Sequence, residues 1–100
     1  PKLTKSDLVD GEADGNVATW LEHTQRELSK LEDSEWTEER LQNVLTDVRE
    51  ELSVTPKQLF PILRVALTGA PKTPTIWEVA WVLGKPETVA RLESAAALVA

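Results

Sequence analysis

Apolar positions along the chain recur mostly at helical spacing. Val17, Trp20, Leu21, Leu28 and Leu31 fall on one face of a helix, with Asn16 or Asp14 placed to cap its start. The segment LEDSEW then breaks the phase. Thr37 can cap a second helix, with Trp36 and Leu41 flanking the cap as a hydrophobic staple. Leu41, Val44, Leu45, Val48 and Leu52 continue the apolar face of that helix, while Glu38, Glu39, Gln42, Asp47 and Glu50 take its solvent side. At Thr55 the texture changes: Thr55, Pro56 and Gln58 supply a cap, a proline at the first helical position and the glutamine of a capping box. Pro61 is expected to interrupt or restart this helix, because proline lacks the N–H and disfavours helical geometry at Phe60. A helix from about Pro61 to Thr68 would end at Gly69 in the left-handed conformation. After the turn APKTP, Thr75 and Glu78 offer another capping box for a helix to Leu83, closed by Gly84. Pro86 opens a last helix in which Val89, Leu92 and Val99 keep the apolar phase.

Nothing alternates at period two for long, so the pattern predicts an all-α domain, a compact bundle or cage of five to six short helices. Residues 1–15, with two glycines and four acidic side chains, read as a flexible lead or linker, leaving 16–100 as one helical domain. One hundred residues suffice for one core and not two. No apolar run approaches the ~20 residues that cross a bilayer, and no stretch reads as a signal peptide, so neither membrane nor secretion is expected. The chain has no cysteine, which suits a reducing cytoplasm, and no methionine, which suggests a piece of a longer protein or a processed product.

Charge divides the domain. The net charge is −6, but residues 1–55 carry 6 basic and 14 acidic side chains whereas residues 56–100 carry 5 basic and 3 acidic ones. The acidic part, 16–54, is a poor partner for phosphates, and contact with an anion is expected from 55–100, where Lys57, Lys72 and Lys85 could meet a nucleic-acid backbone. A purely acidic helical domain that packs on another protein is the alternative reading of the same asymmetry.

Catalytic chemistry is nearly absent. His23 is the sole histidine and reads as a surface side chain, and no metalloprotease, nucleophile-elbow or phosphate-loop motif occurs. Asp33, Glu35, Glu38 and Glu39 lack the alternating arrangement that wraps calcium and read as a solvated face. No catalytic residue, metal ligand or cofactor-binding residue is therefore assigned. Trp20 and Trp36 belong to apolar faces. Trp77 and Trp81 lie four apart on one helix, where packing is favoured over a base-stacking platform. Arg64 stands out, a charge between Leu63 and Val65 in an apolar run. Spacing alone favours a side chain that snorkels to solvent or pairs with a carboxylate such as Glu78.

The wording of the segment alters that balance. LFPILRVALTG, a proline-bearing turn, and IWEVAWVLGKPETVARLESA resemble the C-terminal end of bacterial-type glutamyl-tRNA synthetases, where LF-x-P-L-R-x-A-L-T-G, P-x-[LI]-[FW]-E and L-L-G-K-E-x-x-x-x-R-L occur in that order. The likeness runs from about Trp36 to Leu98 and is densest from Leu59 to Leu92; W-T-E-E-R-L, Trp36 to Leu41, fits as well. Ile62 replaces the usual leucine, and Pro86 stands where an acidic residue is commoner. The resemblance implies an anticodon-binding domain, with 55–100 as its reading part, and a tRNA for glutamate, or for glutamine as well, as partner alongside the remainder of a monomeric synthetase. It implies that Arg64 approaches the third anticodon base, a cytosine, that Thr73 lies near the middle base, a uracil, and that Ile76 supplies an apolar wall. The parent enzyme would attach glutamate to tRNA using ATP with magnesium. The ATP-binding signatures H-I-G-H and K-M-S-K-S are missing here, so this stretch cannot itself activate the amino acid.

Overall fold

A computed structural model of the chain describes residues 14–69 and 75–99, and every described element is helical. Five α-helices follow one another among these residues: α1 (Asp14–Ser29), α2 (Glu38–Leu52), α3 (Pro56–Thr68), α4 (Ile76–Leu83) and α5 (Lys85–Val99), with a 3-10 turn, Asp33–Glu35, between α1 and α2. The all-α expectation holds. The expected lead falls outside the described residues up to position 13, and Asp14 and Gly15 already belong to α1, so Asn16 lies inside the helix and does not cap it.

Local chemistry accounts for most boundaries. Thr37 caps α2 by accepting the Arg40 N–H at 3.2 Å, one of the four donors that a helix start leaves unpaired. At the other end Ser53 adopts a left-handed conformation, φ 58°, and its N–H reaches back to the carbonyls of Arg49 and Glu50. Thr55 and Gln58 form the expected capping box at the start of α3. The corresponding box at α4 does not form: Thr75 occupies the cap position without a side-chain hydrogen bond.

Pro61 departs from expectation most clearly, since α3 runs through it without a break. The missing N–H deprives only the Lys57 carbonyl of its partner, and Lys57 is exposed, where water can serve instead. Against that cost of about 3 kcal/mol, continuity of the helix buries Leu59, Ile62, Leu63, Val65, Ala66 and Leu67 on one face. Each of the leucine, isoleucine and valine side chains contributes roughly 1.5–3 kcal/mol when fully buried, so burial wins.

A single apolar core draws on all five helices, with Leu21, Leu28, Leu41, Leu45, Leu59, Leu63, Ile76 and Leu92 among its fully buried members. The longest seam is α1 against α5, which ties the acidic part of the chain to its C-terminal end. Two threonines sit in this core. Thr24 Oγ1 donates to the Trp20 carbonyl at 2.8 Å and Thr88 Oγ1 to the Ala80 carbonyl at 3.2 Å, so neither hydroxyl is stranded. On α5 the buried phase therefore runs through Thr88, Leu92, Ala95, Ala96 and Val99, and Val89 is only half-buried.

The two halves are also latched by polar contacts. Trp36, buried at the end of the 3-10 turn, donates its indole N–H to the Ala80 carbonyl of α4 at 3.0 Å. Lys85, first residue of α5, donates its ammonium to the Leu31 carbonyl beyond α1.

Candidate nucleic-acid interface

The site is built on the outer stripe of α3. Its start is fixed by the reciprocal box, with Gln58 N–H on Thr55 Oγ1 at 3.2 Å and Thr55 N–H on Gln58 Oε1 at 2.8 Å. Its end is fixed by Gly69, whose φ of 82° suits glycine and whose N–H closes on the Val65 carbonyl at 2.8 Å. Phe60, Arg64 and Thr68 then follow one another at four-residue spacing, beside the buried face. Thr68 Oγ1 donates to the Arg64 carbonyl at 2.7 Å, tightening the last turn. Phe60 packs edge-on against Trp77 of α4, with ring centroids 6.2 Å apart and planes at 83°. Helical side chains lean toward the N-terminus, so Arg64 is set over the Phe60 turn of α3.

Arg64 itself is half-buried, and its Nε is fully shielded from solvent without a hydrogen-bond partner among the described residues. The pairing with Glu78 that spacing allowed is not formed there; Glu78 is exposed. A shielded donor with no acceptor costs about 1–3 kcal/mol, and native proteins keep few of them.

The other residues singled out from sequence scatter. Thr73 and Lys72 lie outside the described residues. Ile76 opens α4 and is only 1% exposed, packed in the core, so as the chain stands it anchors the helix and offers no surface to a base. Lys57 is exposed in the first turn of α3, free to face a phosphate, whereas Lys85 is half-buried and gives one ammonium N–H to the Leu31 carbonyl. Trp20 and Trp36 are buried as expected. Trp77 is half-buried and Trp81 is 49% exposed, so the second of this pair departs from the packing expectation. His23 is not a plain surface side chain either: its side chain is 22% exposed and lies 3.2 Å from Glu51 across the α1–α2 seam.

One participant escaped the sequence reading. Arg91 of α5 donates its Nε to Glu87 at 2.7 Å and its Nη1 to the Leu67 carbonyl in the last turn of α3. Only the i to i+4 spacing of Glu87 and Arg91 was visible beforehand; the reach to Leu67 needs the tertiary fold. Beside it lies a cleft of about 650 Å³ between α3 and α5, lined by Thr68, Gly69, Ala90, Arg91, Ser94 and Leu98 among others.

Comparison with known proteins points one way. A family model described as an anticodon binding domain matches residues 4–96. The glutamate–tRNA ligase of Roseiflexus castenholzii is 45% identical over 65 residues, covering 65% of this chain and 13% of that protein. The glutamate–tRNA ligase of Roseiflexus sp. strain RS-1 is 40% identical over 77 residues, 77% of this chain and 15% of the relative. Glutamate–tRNA ligase 1 of Cereibacter sphaeroides is 38% identical over 73 residues, 72% and 16% respectively. The chain thus spans about one seventh of the length of these relatives. No solved structure matches it.

Proposed function

Because the chain belongs to the anticodon-binding-domain family, which matches residues 4–96, we propose that it reads the anticodon of glutamate tRNA for a glutamate–tRNA ligase. Attachment of glutamate to that tRNA is the work of the remainder of such an enzyme. The observation that carries the reading is Arg64: a guanidinium on a capped, rigid helix, with a shielded Nε that no described residue satisfies. Native structures leave few shielded donors unpaired, and such local violations concentrate at functional sites.

The chemistry suits an unstacked base. Guanidinium is donor only, and cytosine presents O2 and N3 as acceptors on its exposed edge, so Arg64 would read the third anticodon position. Thr73, which can both donate and accept, would meet the middle base, a uracil. Ile76 contributes indirectly, holding the first turn of α4 against the core. Phe60, paired with Trp77, lies one turn earlier on the same stripe, and an apolar neighbourhood strengthens a hydrogen bond formed beside it. Discrimination comes from these few contacts and not from bulk attraction. With 5 basic and 3 acidic side chains in residues 56–100, few phosphates can be neutralised and the salt dependence of binding will be shallow.

The direct test is titration of labelled glutamate tRNA with this chain, beside the same tRNA altered at the third anticodon base. Binding is expected to be weak, but tighter for the unaltered RNA. Equal binding of the two, or no binding even at low salt, would overturn the proposal.

A further inference from the structure

Arg91 lies on a different helix from Arg64, and nothing in its sequence position connects the two. In the fold it reaches across to the last turn of α3, where its Nη1 donates to the Leu67 carbonyl. That carbonyl is one of the four that the end of a helix leaves without an internal partner. Of these Val65 gives its carbonyl to Gly69 N–H. Arg91 serves that of Leu67 from outside, with a positive charge placed at the negative end of the helix dipole. Its own direction is set by Glu87, which accepts Nε–H at 2.7 Å one turn earlier on α5. The side chain is 41% exposed, so it covers the turn without being locked in the core.

From this we infer that Arg91 is a positioning residue for anticodon reading: it clamps the last turn of α3, so that Arg64, one turn earlier on the same helix, keeps one orientation. The inference rests on the proposed function and concerns how it is held in register. Without the clamp the Leu67 carbonyl turns to water, the last turn frays, and Arg64 samples several orientations. Affinity for any tRNA would fall modestly, while the preference for the correct third base would fall much more. A direct phosphate contact by Arg91 would do the reverse, weakening all tRNAs alike and flattening the salt slope.

The experiment uses the full chain as wild type, Arg91→Ala and Arg91→Lys. Each is titrated with glutamate tRNA and with the third-base variant, and amide exchange is followed by NMR. For Arg91→Ala the expectation is at least roughly a fivefold loss of the third-base preference and about tenfold faster exchange of the Gly69 amide, the size a charge-assisted hydrogen bond implies. Amides of Leu21 and Leu45, in the core of α1 and α2, should keep their protection. Arg91→Lys, which still offers one charged donor to Leu67, should restore most of the preference. A retained preference in Arg91→Ala, an unchanged Gly69 exchange rate, or equal weakening of both tRNAs with a changed salt slope would each overturn the role given to Arg91. A wild-type chain with no third-base preference would instead sink the proposed function itself, which keeps the two failures apart.

Discussion

Replacing Trp36 by phenylalanine probes the latch that holds α4, and with it the Trp77 side of the interface, against the acidic half of the chain. Trp36 is 9% exposed and its indole N–H donates to the Ala80 carbonyl at 3.0 Å. That carbonyl has two further donors, Gly84 N–H at 3.0 Å and Thr88 Oγ1 at 3.2 Å, so removing the indole leaves no stranded acceptor. The hydrogen-bond loss therefore sits at the ordinary net value of about 1 kcal/mol, without the larger penalty for an unsatisfied group. The smaller ring forfeits about another 1 kcal/mol of buried apolar contact. A loss of about 2 kcal/mol corresponds to a Tm lower by roughly 10 °C in a domain this size. Thr88→Val should cost less than about 1 kcal/mol, because the valine fills the same space and Ala80 keeps the indole. The double variant should lose about the sum of the two, since Gly84 N–H still serves the Ala80 carbonyl. Urea unfolding followed by far-UV circular dichroism measures all three. Trp36→Phe within about 0.5 kcal/mol of wild type, or a double variant no worse than either single one, would refute this account of the latch.

Other perturbations address the remaining joints. Gly69→Ala should destabilise by about 1–2 kcal/mol from the left-handed backbone alone, since nothing lies within 4 Å of where its Cβ would sit, and Gly69→Asn should recover part of that in the same unfolding assay. Lys85→Met, which keeps the aliphatic stem but not the donor to Leu31, should cost about 1–2 kcal/mol in urea while leaving the third-base preference intact. Glu27 is held below the usual carboxylate range chiefly by the hydrogen bond from Lys30, opposed by burial and aided by the charges of Lys30, His23 and Arg26. A depressed folded pKa gives stability that is complete above the ordinary carboxylate range and is lost as pH falls through the folded value. The pair is largely solvated, so Glu27→Gln should cost under about 0.5 kcal/mol at neutral pH, a difference that vanishes in acid when unfolding is repeated there.

The apolar phases of α1 and α2 were legible because they repeat over whole helices, and Thr37, Thr55 and Gly69 marked ends by chemistry confined to a few neighbouring residues. Pro61 misled for the opposite reason. Its local cost is visible in sequence, while the six side chains that α3 buries by running through it depend on where the other helices lie. Thr88 was passed over in favour of Val89 because a threonine scores as polar until a carbonyl is found for its hydroxyl, and that carbonyl, Ala80, belongs to another helix. The site divides similarly. Arg64 was conspicuous as a charge in an apolar run, yet its shielded Nε, unpartnered among the described residues, emerges only in the packed fold. Ile76 was expected from the resemblance as an apolar wall and Lys85 from its charge as a backbone contact, and the fold buries the first in its core and joins the second to the Leu31 carbonyl.

The central claim is that Arg64 reads a base. Its most direct test crosses Arg64→Ala with the third anticodon base in one set of titrations: wild type and variant chains, each against glutamate tRNA and against the RNA altered at that base. The account predicts that wild type prefers the unaltered RNA by about 1–3 kcal/mol and that Arg64→Ala binds both RNAs alike, so the coupling equals the whole preference. An Arg64→Ala chain that still favours the unaltered base as strongly as wild type does would contradict it.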